Sequence, residues 1–163
     1  MRCGNRTALK RRWTPCTHRP ISPIKFGYQL VYFYAAINPY NGHLIALLLP
    51  SMKKVCFELF MRHFEQQTLD KYGQQAVLLV ADGASNHQHD TIEHKRINLK
   101  ILPRACPELN PVERFFEQLR AEMSNQVFET IEQVEDYLTN ILYKYFEQPD
   151  RVSSLTLFNY IRN

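Results

Sequence analysis

Two acids, Asp82 and Glu113, and the residues around them are the part of this chain best suited to chemistry. Asp82 closes the apolar run Ala76-Val-Leu-Leu-Val-Ala81, and Glu113 follows thirty-one positions later at the end of Leu102-Pro-Arg-Ala-Cys-Pro-Glu-Leu-Asn-Pro-Val-Glu113. An acid at the carboxyl end of a strand lies where open α/β sheets bind ligands, and an acid in the first turn of a neighbouring helix can face the same crevice. Carboxylates converging there suit Mg²⁺, a hard cation that takes oxygen ligands and keeps waters for a phosphate to displace. Each acid also has an ordinary structural role. Asp82 could cap the turn after its strand, and Glu113 could close an Asn-x-x-Glu capping box with Asn110. Taken singly, those roles are preferred; taken as a pair, the two acids favour metal-ion chemistry on nucleic acid.

The distribution of charge points to the same kind of partner. Residues 1–57 carry nine Lys/Arg and no Asp/Glu, while the remainder carries eleven Lys/Arg against sixteen Asp/Glu, so the net +4 divides into +9 and −5. Such asymmetry fits a polyanion bound by the front third, although a basic surface can also serve solubility alone. The first acid of any kind is Glu58, so nothing ahead of it can bind a metal through a carboxylate.

A chain of 163 residues fits one domain with a real core. Its longest aliphatic run, Leu44 to Leu49, is far short of a membrane span, and no apolar segment of signal-peptide type opens it, so a cytoplasmic protein is expected. Cys3, Cys16, Cys56 and Cys106 form no Cys-x-x-Cys pair and read as reduced thiols. His87, His89 and His94 cluster without a thiolate or carboxylate at fixed spacing, which favours a solvated surface over a zinc site.

The elements that must position the acids follow from periodicity. Pro15, Pro20 and Pro23 break residues 1–25 into exposed loop with room for one short strand. Tyr28 to Ile37 and His43 to Leu49 read as strands joined by the turn Asn38-Pro-Tyr-Asn-Gly42. A helix should run from Met52 to near Gly73, burying Met52, Cys56, Leu59/Phe60 and His63/Phe64. Ala76 to Ala81 reads as a strand buried on both faces beside a parallel neighbour. A short helix around Gln88 to Lys95 and a strand at Asn98 to Leu102 should follow. The next helix opens with Asn110 as N-cap and Pro111 as its first residue, and its inward stripe is Leu109, Val112, Phe116, Leu119 and Met123. Glu113 borders that stripe and points back toward the helix start. A last helix opens at Thr130-x-x-Gln133 and turns Ile131, Val134, Leu138, Ile141/Leu142 and Tyr145 inward.

Read together, these segments resemble the catalytic domain of the DDE transposases, in the bacterial insertion-sequence branch of the mariner superfamily. The matching residues are Arg12-Trp13-Thr14-Pro15 with His18-Arg19-Pro20, the Asn38 to Gly42 turn followed by Leu47-Leu-Leu-Pro50, Val80-Ala-Asp82-Gly-Ala-Ser-Asn-His87, and Leu102-Pro103 with Pro107-Glu-Leu-Asn-Pro-Val-Glu113. The last motif and its distance from Asp82 are the specific part, and Cys106 stands where family members usually have serine.

The resemblance implies a ribonuclease-H-like mixed α/β sheet with flanking helices, its first, central strand largely missing here. It divides the chain into a basic, mostly irregular segment at 1–25, an incomplete catalytic core at 26–128, and a C-terminal helix and tail at 129–163 packed on the core. The second catalytic Asp and the catalytic Glu carry over to Asp82 and Glu113 as Mg²⁺ or Mn²⁺ ligands. The first Asp, which bridges both ions in the family, would lie just ahead of Met1 and does not carry over. Two-metal phosphoryl transfer sets its ions about 4 Å apart, one at the attacking and one at the leaving oxygen. With two acids each ion keeps roughly one protein ligand, so the chain alone is expected neither to nick nor to join DNA. Loss of the central strand should leave unpaired edges and marginal stability. With no helix-turn-helix in the chain, DNA contact rests on phosphate binding by Arg2, Arg6, Lys10, Arg11, Arg12, Arg19 and Lys25. Besides an inactive fragment, two readings stay open: a half-enzyme completed by an upstream reading frame, through frameshifting or association in trans, and a nucleic-acid-binding domain that has lost its chemistry; a homodimer is a further possible assembly.

Overall fold

The structure is a computed structural model that describes residues 1–82, 96–103 and 106–162. The expected helix around Gln88 to Lys95 and the three clustered histidines lie outside the described residues.

Three antiparallel strands form the first sheet: β1 (Arg2–Gly4), β2 (Leu30–Asn38) and β3 (His43–Leu49), with Cys3 opposite Val31 and Asn38 opposite His43. The β2–β3 turn forms because Asn38 Oδ1 accepts from the Tyr40 amide and Asn41 Oδ1 from the His43 amide, both at 3.0 Å. Gly42 has φ +67°, and a Cβ there would lie 1.8 Å from the Pro149 carbonyl oxygen, so the position needs glycine twice over. After α1 (Lys54–Tyr72), strands β4 (Val77–Ala81) and β5 (Ile97–Ile101) pair in parallel, Val77 beside Ile97 and Ala81 beside Ile101. Among the described residues these form a second, two-stranded sheet, and β1 is hydrogen-bonded to β2 but not to β4. A 3₁₀ turn (Pro107–Leu109) leads into α2 (Val112–Met123), followed by α3 (Ile131–Glu147), α4 (Pro149–Thr156) and α5 (Asn159–Arg162).

Alternation along β2 and β3 divides the core into two layers. Val31, Phe33 and Leu44 pack on one side against Phe115, Phe116 and Leu119 of α2, Val134, Leu138 and Tyr145 of α3, and Val152 of α4. Tyr34, Ala36, Ile45 and Leu49 pack on the other side against Phe57, Phe60, Met61 and Phe64 of α1, with Ile97 of β5. Each of these large side chains contributes about 1.5–3 kcal/mol by leaving water. No helix among the described residues is long and apolar enough to cross a membrane.

Three details differ from the sequence expectation. The buried face of α1 is Phe57, Phe60, Met61, Phe64 and Thr68: Phe60 and Phe64 of the expected stripe are buried and Met52 and Cys56 pack beside them, while Leu59 is 52% exposed. Burying Phe57 and Met61 removes more apolar surface from water than burying Cys56 and His63 would. β4 is not buried on both faces: Val77 and Leu79 pack inward while Leu78, on the opposite side of the strand, is 65% exposed. On α2 the sequence stripe omits Phe115, which is fully buried, and includes Leu109, which lies in the 3₁₀ turn and is 41% exposed.

Candidate active site

Asp82 is exposed directly after β4, held there by the parallel pairing of Ala81 with Ile101 and by the Leu102 amide donating to the Ala81 carbonyl at 2.8 Å. Glu113 sits in the first turn of α2. Pro111 has helical dihedrals (φ −56°, ψ −30°), and buried Asn110 accepts the Val112 amide on Oδ1 at 3.3 Å. The Asn-Pro opening therefore works as its sequence suggests, with the hydrogen-bonded helix starting at Val112. Glu113 does not close a capping box. Its Oε2 lies 3.7 Å from Arg120 Nη2, two turns along the same face, and the two side chains are 30% and 53% exposed. A pair this open is weak and readily displaced.

The start of β1 is held against β2. The Met1 amino group donates to the Phe33 carbonyl at 2.6 Å, and the Phe33 amide donates back to the Met1 carbonyl at 2.7 Å. Burial pushes this amine below its usual 8.0, while nearby Cys3, Glu113 and Asp82 oppose that shift and Arg120 reinforces it. Cys3 has its thiol pushed up to about 11 by burial and stays protonated at neutral pH. Two carboxylates are suitable donors for a hard divalent ion. Among the described residues, no group of three or more His, Cys, Asp or Glu is arranged to hold a metal.

The basic residues of the front segment are carried on the long β1–β2 connection. Its base is pinned by Asn5 with Gln29 and by Thr7 with Lys25. Asn125, at φ +60°, ties the connection to the α2–α3 link by donating to the Lys10 carbonyl and accepting its amide. Arg2, Arg6, Lys10, Arg11, Arg12 and Arg19 are accessible, with the Arg6 guanidinium 6.0 Å from the Phe26 ring centroid. Lys25 is different: its ammonium pairs with the Glu129 carboxylate and donates to the Glu129 carbonyl. Sequence reasoning missed the apolar residues among these cations. Trp13 is fully exposed, Ile21 95%, Tyr28 88% and Phe26 70%. The prolines that interrupt this segment deny those residues a regular element with a buried face, which was the available signal.

Comparison with known proteins agrees with this arrangement. The family described as DDE superfamily endonuclease matches residues 5–135. An uncharacterized protein of Sinorhizobium fredii, y4pE/y4sA, is 27% identical over 128 residues, covering 77% of this chain and 93% of that protein. Among solved structures, the Mos1 transposase paired-end complex with left transposon end superposes with a TM-score of 0.65 at 17% identity, covering 94% of this chain and 50% of that one. The Mos1 strand transfer complex gives 0.62 at the same identity and coverage. The chain thus spans about half the length of the solved transposases it matches, and it shares their fold, a ribonuclease-H-like mixed α/β arrangement. With most of its length inside the matched region, the chain belongs to the DDE superfamily endonucleases.

Proposed function

We propose that this chain is the catalytic-domain portion of a DDE transposase, in which Asp82 and Glu113 hold Mg²⁺ or Mn²⁺ for DNA strand cleavage and strand transfer in the intact enzyme. The observations that support this reading are the match of residues 5–135 to the DDE superfamily endonucleases and the positions of the two acids, Asp82 directly after β4 and Glu113 in the first turn of α2. A divalent ion bound there supplies Lewis-acid stabilisation of charge on the phosphoryl oxygens. The rest is the work of the chain. The Asn110-Pro111 opening and the buried Phe115, Phe116 and Leu119 fix the orientation of Glu113, and the β4–β5 pairing fixes Asp82. Arg2, Arg6, Lys10, Arg11, Arg12 and Arg19 would bind DNA phosphates without reading sequence.

Residues 1–163 hold no acid ahead of Glu58, so they supply two of the three carboxylates that two-metal chemistry uses in this family, and we infer that these residues by themselves bind DNA without cutting it. A segment upstream of these residues, joined to them or associating in trans, would have to supply the third. A nuclease assay with Mg²⁺ or Mn²⁺ tests this: no cleavage is expected, and turnover abolished by Asp82→Ala would overturn it. A purely DNA-binding role is favoured by the basic, aromatic β1–β2 connection. Under that reading Asp82→Asn and Glu113→Gln leave DNA affinity unchanged or raise it, while charge reversal at Lys10 to Arg12 abolishes it.

A further inference from the structure

The C-terminal tail after α4 reaches back to the start of the helix that carries Glu113. The Tyr160 hydroxyl donates to the Glu108 carbonyl at 3.1 Å, on the 3₁₀ turn just before α2. The Phe158 ring lies 5.9 Å from the guanidinium of Arg114, the residue next to Glu113, and stacks on Tyr160 at 5.3 Å between centroids. The tail is itself fixed at both ends. Val152 and Thr156 of α4 are fully buried, Ser153 donates to the Pro39 carbonyl at 2.7 Å, and the Tyr40 hydroxyl donates to the Ile161 carbonyl.

The 3₁₀ turn has little packing of its own, since Glu108 and Leu109 are both exposed. Glu113 therefore starts a helix whose body is anchored by Phe115, Phe116 and Leu119 but whose approach is held by few buried groups. Helix ends fray into such segments unless something outside the helix restrains them. Tyr160 restrains the approach through its backbone, and Phe158 restrains the first turn through Arg114.

We propose that Tyr160 and Phe158 are positioning residues for Glu113: the tail they belong to clamps the start of α2 and holds the Glu113 carboxylate in the place it needs to ligate a divalent ion. The metal part of this inference rests on the proposed function; the clamp does not. The test uses the full chain with Tyr160→Phe, which loses only the hydroxyl, Phe158→Leu, which loses the ring, and Phe158→Tyr, which keeps it. Two readouts are taken, amide hydrogen exchange and Mn²⁺ titration. In Tyr160→Phe and Phe158→Leu the amides of Val112, Glu113 and Arg114 should exchange about five-fold faster, the worth of one net hydrogen bond, while those of Leu138 and Tyr145 in α3 do not change. Mn²⁺ should bind about two- to five-fold more weakly in both, and Phe158→Tyr should restore both readouts. Unchanged exchange at 112–114, or acceleration spread equally through α3, would overturn the clamp. Faster exchange at 112–114 with unaltered Mn²⁺ affinity would overturn the positioning role. Failure of the unsubstituted chain to bind Mn²⁺ would instead defeat the metal reading, and exchange alone would then decide the clamp.

Discussion

Glu113 and Arg120 stand two turns apart on one face of α2, with Glu113 Oε2 3.7 Å from Arg120 Nη2. A metal ion approaching Glu113 must compete with that guanidinium for the same oxygens. Arg120→Ala should therefore tighten Mn²⁺ binding by about two- to five-fold, since an exposed pair is worth at most about 1 kcal/mol. For the same reason the substitution should shift thermal unfolding little. Titration of Mn²⁺ into the two proteins checks this, and weaker binding in Arg120→Ala would mean that the arginine orients the acid instead of competing for it.

DNA affinity should depend unequally on the basic residues. Charge reversal at Lys10, Arg11 and Arg12 should lower affinity for duplex DNA by more than about ten-fold and flatten its dependence on salt by about 0.9 per lost phosphate contact. Lys25→Ala should have little effect, because Glu129 already holds that ammonium. Fluorescence anisotropy across a salt series separates the two, and equal losses would show that Lys25 leaves Glu129 to bind phosphate.

Packing at the centre of the first layer rests on Phe115, which meets Tyr145 edge to face at 4.9 Å and Phe33 at 6.4 Å. Phe115→Ala should cost about 3–5 kcal/mol, whereas Trp13→Ala, at a fully exposed ring, should stay within about 0.5 kcal/mol. Urea unfolding of the two variants gives the comparison.

Stability should fall on mild acidification through His43. Its Nδ1 lies 3.0 Å from the Tyr72 hydroxyl at the base of the β2–β3 turn, and burial, with Lys71 nearby, lowers its pKa from 6.5. The unfolded chain then takes up a proton at higher pH than the folded one, so stability is fully present above about 6.5 and declines as pH falls toward the folded value. His43→Gln should remove that part of the pH dependence, as melting temperatures between pH 5 and 8 would reveal.

The parts of this fold that were legible in the sequence are those written in local chemistry. The Asn38 to Gly42 turn carries its own hydrogen bonds, and α3 shows both its cap, with Thr130 Oγ1 accepting the Gln133 amide, and its inward stripe from Val134 to Tyr145. Where two apolar residues adjoin, periodicity could not choose between them: Phe115 and Phe116 are both buried, and on α1 Phe60 is buried while Leu59 is exposed. Contacts between distant segments left no local trace at all. Tyr160 with Glu108, Asn125 with Lys10 and Lys25 with Glu129 each join residues more than fifty positions apart. At the proposed site, the positions of Asp82 after its strand and Glu113 in the first turn of its helix were legible, while the Arg120 partner and the tail behind Glu113 were not.

The most direct test of the account is a double-mutant cycle on divalent-ion affinity with Asp82→Asn, Glu113→Gln and the pair together, read by Mn²⁺ titration. If the two acids share a site, each single change should weaken binding by about ten-fold or more, and the double change should lose far less than the product of the two. Losses that simply multiply, or a loss confined to one of the two acids, would contradict a shared ion between Asp82 and Glu113.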